Sequence, residues 1–198
     1  MLNDSLFYNP YEIIGGVKFM SPSAPLNHSG VIMSLSAKIF DYVVRNSCGY
    51  VFTDDVDVHL PDGNFFQPDL CVVTNENASI LSRRNAIYGA PDMVVEVLSR
   101  STKKRDLTVK KDSYEACGVK EYWIVDPYYR TIDVYLLRDG KFYLDDEYIL
   151  YKEDDVEWQH MSDEDKAAVK SEITLSIFPD LTVKLSEIFV WSDRFLLP

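Results

Sequence analysis

The chain has 198 residues, 46% of them hydrophobic, and a formal net charge of −12. That length suits one globular domain with a well-buried core. No apolar run approaches the roughly 20 residues that a membrane helix needs, and the acidic balance speaks against gross attraction to nucleic acid.

Taken in chain order, Tyr11 to Met20 reads as a strand or hairpin broken at Gly15-Gly16, followed by a Pro/Ser loop over Ser21 to Pro25. From Asn27 or His28 to about Asn46, Val31, Leu35, Ile39, Tyr42 and Val43 recur at helical spacing, with Asn27 or Ser29 as cap and Cys48-Gly49 as stop. Tyr50 to Phe52 and Val56 to Leu60 form a first extended stretch, and a Pro61-Asp-Gly turn leads to a second strand at Leu70 to Val73. Met93 to Leu98 is the third strand, and Lys103 to Cys117 is a helix closed by Gly118. Glu121 to Val125 is a buried strand that pairs with Thr131 to Leu137, and Lys141 to Tyr151 extends the sheet. Ser162 caps a short exposed helix to about Val169, completed by Asp165 as a capping box. Leu181 to Val183 and Leu185 to Trp191 end the pattern. The order predicts an α/β (α+β) fold: a mixed sheet flanked by helices, with strand additions at both termini.

The three cysteines, Cys48, Cys71 and Cys117, are scattered and odd in number. They point to a reducing cytoplasm and away from a zinc site. The start, Met1-Leu-Asn-Asp, has no basic region before an apolar stretch, so no secretory signal is expected. Charge is unevenly spread. Six bases and one acid lie between Arg100 and Lys111, against ten acids and one base between Asp145 and Asp165. These runs read either as solvated faces or as a local cationic surface on an otherwise repulsive protein.

The cationic run follows an unusual carboxylate. Glu96 sits in an apolar strand among Val94, Val95, Val97 and Leu98. A strand apolar on both faces is central, and an ionised carboxylate there needs a cation, a metal or a donor network. Asp69 opens the second core strand, and adjacent strands could bring it to Glu96. Two carboxylates at one point call for a shared cation, and open oxygen ligands suit Mg²⁺ or Mn²⁺. On the helix, Leu107, Lys110, Tyr114 and Cys117 fall on one stripe, with Lys111 at its edge. A lysine centred on a core-facing stripe either snorkels or reaches the carboxylates, and Asp106, one turn earlier, could pair with it.

Several segments together resemble a known family. They are Tyr11-Glu-Ile-Ile-Gly-Gly, His28 at the head of the first helix, Gln67-Pro-Asp-Leu-Cys-Val-Val, Val95-Glu-Val-Leu-Ser, Arg105-Asp-Leu-Thr-Val-Lys and Tyr114-Glu-Ala-Cys-Gly-Val-Lys-Glu-Tyr-Trp-Ile-Val-Asp-Pro. These are similar to the Uma-type restriction endonucleases of the PD-(D/E)XK nuclease superfamily, over Tyr11 to Leu137 and again over Leu175 to Phe189. The resemblance implies a single restriction-endonuclease-like domain over residues 1–198, with its core at about 28–126 and a surface insertion at about 153–171. It implies Asp69 and Glu96 as ligands of Mg²⁺ or Mn²⁺. The superfamily's usual lysine, two residues after the glutamate, is Leu98 here, so Lys110 becomes the catalytic lysine.

The activity so implied is metal-dependent endonucleolytic hydrolysis of nucleic acid, DNA in particular. Lys103, Lys104 and Arg105 would hold the backbone, and Glu12 and His28 are accessory candidates. A homodimer would suit double-strand cutting. The alternatives are a catalytically silent scaffold or nucleic-acid-associated protein of the same fold, favoured by the net charge, and a hydrolase of small phosphodiesters.

Overall fold

A computed structural model describes residues 11–20, 24–54, 56–82 and 86–191. Strands β1 (Tyr11–Ile14) and β2 (Val17–Met20) form the predicted hairpin. Gly15 and Gly16 both take positive φ, which a two-residue turn matched to strand twist demands. The loop expected at 21–25 lies outside the described residues at 21–23.

The first helix spans Leu26–Asn46 and buries His28, Val31, Ile32, Leu35, Ile39 and Val43. Its ends differ from expectation. Pro25 stands at the N-cap with no side-chain cap, while Asn27, already inside the helix, accepts from the His28 N–H at 2.9 Å. Ser47, in the left-handed region, closes the helix ahead of Cys48-Gly49.

Next come β3 (Gly49–Thr53), β4 (Asp57–His59), β5 (Phe65–Phe66), β6 (Leu70–Thr74), β7 (Leu81–Ser82), β8 (Ala86–Tyr88) and β9 (Met93–Val97). After a helix come β10 (Glu121–Asp126), β11 (Thr131–Arg138) and β12 (Lys141–Ile149). The central sheet runs β12-β11-β10-β9-β6-β3, and a second sheet runs β2-β1-β5-β4-β8-β7. The stretch read as one extended unit therefore divides: β3 closes one edge of the central sheet, and β4 crosses into the second. Within the central sheet only β9 and β10 are parallel, as the helix crossover between them requires.

Every residue of β9 is buried because both faces of the sheet are covered. One face carries Leu70, Val72, Val95, Val97, Trp123 and Val125 against the first helix and the C-terminal segment. That segment holds the hairpin β13 (Glu172–Thr174) and β14 (Thr182–Lys184) and the turn of helix Leu185–Ile188; β13 was not anticipated. The other face carries Cys71, Val73, Val94, Tyr122 and Ile124 against Tyr114 and Val119, and against Val58, Phe66 and Ile87 of the second sheet.

The helix over 103–117 is not uniform. Lys103–Arg105 and Lys111–Cys117 are α-helical, but Asp106–Lys110 forms a π turn. The extra residue in that turn rotates the preceding side chains relative to a regular wheel. Leu107, expected on the core stripe, is 38% exposed, and Asp106 takes the inward position at 1%.

Over 153–171, the predicted helix appears at Asp163–Ala168, with Ser162 Oγ accepting from the Asp165 N–H. A further turn of helix at Val156–His160 was not foreseen. Neither buries a residue, and Arg130 Nη2 ties the segment down through both oxygens of Asp155, at 2.7 and 2.6 Å. Among the described residues, no helix is long and apolar enough to cross a membrane.

Candidate active site

The site forms where β3, β6 and β9 end together. β6 and β9 pair antiparallel with Leu70 opposite Val95, so the next register step places Asp69 opposite Glu96. β3 pairs with β6 through Thr53 and Leu70, which places Asp54 one step further along the same row. Asp69 Oδ2 accepts the Val97 N–H at 2.6 Å and lies 3.3 Å from His28 Nε2. That histidine is buried at the head of the first helix. Burial alone would lower its pKa, but the Asp69 carboxylate beside it more than offsets this, and the net direction is upward.

Lys110 fills the interior of the cluster. It does not snorkel: its side chain is 3% exposed, and Nζ lies 2.7 Å from Glu12 Oε1, 3.0 Å from Glu96 Oε2 and 3.3 Å from Asp106 Oδ1. The π turn aims both Asp106 and Lys110 inward, and the β1–β2 hairpin delivers Glu12. Phe66 covers the ammonium, its ring centroid 5.8 Å away. Tyr114 OH donates to Glu96 Oε1 at 2.8 Å, so both oxygens of Glu96 have partners. Tyr114 is at once a core residue and the anchor of Glu96, a role that packing logic alone does not assign.

Burial pushes the Glu96 carboxyl well up; Lys110 opposes this, and Asp106, Asp69 and Glu12 add to it. Burial likewise raises Asp106. Desolvation would lower Lys110, but the carboxylates around it overcome that and hold it well above the usual lysine range. The two directions are reconciled by the count of charges. One ammonium faces Glu12, Glu96 and Asp106, with Asp69 close by, so the lysine stays protonated and the carboxyls cannot all ionise together.

The cluster thus has hard oxygen donors and more buried carboxyl groups than Lys110 alone could neutralise if all were ionised. That donor set fits a divalent cation such as Mg²⁺ or Mn²⁺. Among the described residues no three His, Cys, Asp or Glu side chains are gathered in a ready-made metal cage. Cys71, one core position from the row, is pushed up to about 12 by burial and then by Glu96, and stays an inert thiol.

The basic segment sits beside this end of the sheet. Lys103 Nζ lies 3.1 Å from Asp126 Oδ2, at the end of β10. Lys104 is exposed. The Arg105 guanidinium lies 5.1 Å from the Phe19 ring centroid on the β1–β2 hairpin.

The molecule is thus a mixed sheet covered on both faces, with buried carboxylates around one lysine at the open end of two central strands. The chain matches the Uma2 family, described as "Putative restriction endonuclease", over residues 9–164, and belongs to it. The bounds of that match take in 138–164, a stretch outside the sequence resemblance. A crystal structure described as "a putative nuclease belonging to DUF820", from Anabaena variabilis ATCC 29413, is similar with a TM-score of 0.70 and 16% identity. The similarity covers 92% of this chain and 90% of that one, and it shows a common fold. No curated protein matches the chain.

Proposed function

We propose that this chain is a divalent-metal-dependent endonuclease that hydrolyses phosphodiester bonds of DNA. The observation that carries the reading is the imbalance at the strand ends: Glu12, Glu96 and Asp106 gathered about the single ammonium of Lys110, with Asp69 beside them on the neighbouring strand against His28. Desolvating that much negative charge costs several kcal/mol per ion unless it is compensated. Asp69 and Glu96 would hold the ion. When bound, it supplies Lewis-acid polarisation of the phosphate and a more acidic water.

The remaining steps belong to the chain's own side chains. The Val97 N–H and His28 hold Asp69, and Tyr114 holds Glu96. Lys110 remains an ammonium, so it cannot act as a base near neutral pH. It orients Glu12, Glu96 and Asp106 and offsets charge that develops on the phosphate. Water is the nucleophile of such a hydrolysis, and Cys71 takes no part, being fully buried. Where the substrate is a duplex, cutting both strands at one place calls for two copies of the site, a homodimer. The free thiols Cys48, Cys71 and Cys117 suit the reducing cytoplasm.

The fact that both oxygens of Glu96 are engaged favours a second reading, a nucleic-acid-binding protein without turnover. Purified protein assayed on plasmid, single-stranded DNA and RNA, with Mg²⁺ or Mn²⁺ against EDTA, separates the two. Metal-dependent cutting supports the nuclease. Binding without cutting under every condition supports the second reading.

The basic segment gives a separate prediction. Reversing Lys103 and Lys104 to Glu should weaken nucleic-acid binding. If each contacts one phosphate, the slope of log affinity against log salt should flatten by about two. An unchanged slope would make these lysines a solvated surface only.

A further inference from the structure

We propose that Tyr128 and Tyr129 form a base-stacking platform beside the site, which admits single-stranded nucleic acid with its bases unpaired. The inference rests on the nuclease reading for its setting and adds the form of the substrate.

The Asp126-Pro-Tyr-Tyr-Arg connection between β10 and β11 presents both rings to solvent, at 61% and 62% exposure, the most exposed aromatics among the described residues, though Phe40, Tyr88 and Tyr143 are exposed as well. The rings are not loosely placed. Asp126 Oδ1 accepts the N–H groups of Tyr128 and Tyr129 at 3.0 and 3.2 Å, and Arg130 takes a positive φ directly after them. The rings meet edge to face, with centroids 4.9 Å apart and planes at 85°, so at least one face of the pair is left open.

Topology puts this platform at the catalytic end of the sheet. β10 runs parallel to β9 with Val125 opposite Val97, and the Leu98 N–H donates to the Val125 carbonyl at 2.7 Å. The tyrosines therefore follow β10 on the side where β9 ends, one residue past Glu96. Lys103 joins the two features: its Nζ pairs with Asp126 and lies 5.7 Å from the Tyr129 ring centroid. Arg100 and Lys104 stand exposed on the same segment.

The occupant follows from charge and shape. A chain of net charge −12 repels a polyphosphate over most of its surface. Exposed aromatic faces next to lysine and arginine match the two parts of a single strand, stacked bases and a phosphate backbone. The bases of an intact duplex are already stacked on one another and offer a tyrosine face nothing along their length.

The test is fluorescence anisotropy in EDTA, so that binding is read without turnover, using a labelled 15-nucleotide thymidine DNA strand and its RNA counterpart. Partners for comparison are a DNA duplex of equal length and an abasic strand with the same phosphates. The thymidine strand should bind at least about tenfold more tightly than the abasic one. Tyr128→Ala/Tyr129→Ala should abolish that difference while leaving the salt slope and the melting temperature unchanged. Tyr128→Phe/Tyr129→Phe should retain it. Equal affinity for abasic and thymidine strands, or an alanine variant that binds as the parent does, would overturn the platform. Comparison of the DNA and RNA arms shows which sugar is preferred. Absence of cutting on any substrate with either metal defeats the nuclease reading alone and leaves the anisotropy result standing.

Discussion

Lys110→Met is expected to lose nuclease turnover and, unlike most single substitutions, to melt about 6–20 °C lower at neutral pH. The lysine is the shared cation of Glu12, Glu96 and Asp106, and its side chain is almost wholly buried. Methionine preserves the packing of the stem but leaves the carboxylates with no counter-charge. Breaking a buried ion pair from one side costs about 3–5 kcal/mol, and a domain of this size shifts roughly 2–4 °C per kcal/mol. The deficit should shrink as the pH is lowered. In the variant the Glu96 and Asp106 carboxyls lose the cation that opposes their rise and sit further above their unfolded values, so stability is present while they are protonated and is lost as pH rises through their folded range. Lys111→Met provides the control. Lys111 Nζ lies 3.6 Å over the Tyr135 ring, a contact worth about 0.5–1 kcal/mol. Calorimetry between pH 5 and 8, with turnover measured well below the variant's melting point, reads both effects. A Lys110→Met protein that melts and cuts like the parent would remove the lysine from the site.

The sheet strands were legible because periodicity reports burial directly. β9 is apolar except for Glu96 and is buried on both faces, and β10 is apolar between Glu121 and Asp126 and is buried throughout. What was not legible depends on contacts that sequence spacing does not encode. Tyr50 to Phe52 and Val56 to Leu60 look alike as extended residues. Only their partners, β6 for one and β5 and β8 for the other, assign them to different sheets. The short pair β13–β14 is three residues a strand, too brief for alternation to stand out.

The site divides along the same line. The lone acid in an apolar strand marks Glu96, since a buried charge is conspicuous among valines. Lys110 stands out for the same reason on a helical wheel. The wheel put Leu107 beside it, however, because a regular 100° step does not include the π turn that brings Asp106 inward. Glu12 reaches the lysine through a hairpin in the second sheet, and no local pattern could reveal a contact across that distance in sequence. The Tyr114 hydroxyl was hidden by its own ring: an aromatic on the core stripe is accounted for by packing, and its polar end leaves no trace in hydrophobic periodicity. Tyr114 does fall four residues after Lys110, one turn away on the same face, and that spacing is the signal that could have found it.

Glu96→Gln should behave oppositely to Lys110→Met although the two side chains touch. Glu96 is held above its unfolded pKa chiefly by burial. Between the unfolded and folded values the native state binds the extra proton, so the parent loses stability as pH rises through that window. Glutamine removes the titration and the desolvation cost. It still accepts from Lys110 and faces Tyr114, whose hydroxyl can accept as well as donate. Lys110 keeps Glu12 and Asp106 as counter-charges. The variant should therefore melt no lower than the parent and gain on it as pH rises, while Mn²⁺ binding and turnover disappear. Asp69→Asn should lose the metal too. It should also lose some stability, because the Val97 N–H and His28 both face the carboxylate oxygen that it changes. Titration calorimetry with Mn²⁺ and melting curves at several pH values test all of this on folded protein. Retained Mn²⁺ binding in both variants would sink the metal assignment. A Glu96→Gln variant as unstable as Lys110→Met would mean that Glu96 is a structural counter-ion to the lysine and not a ligand in reserve.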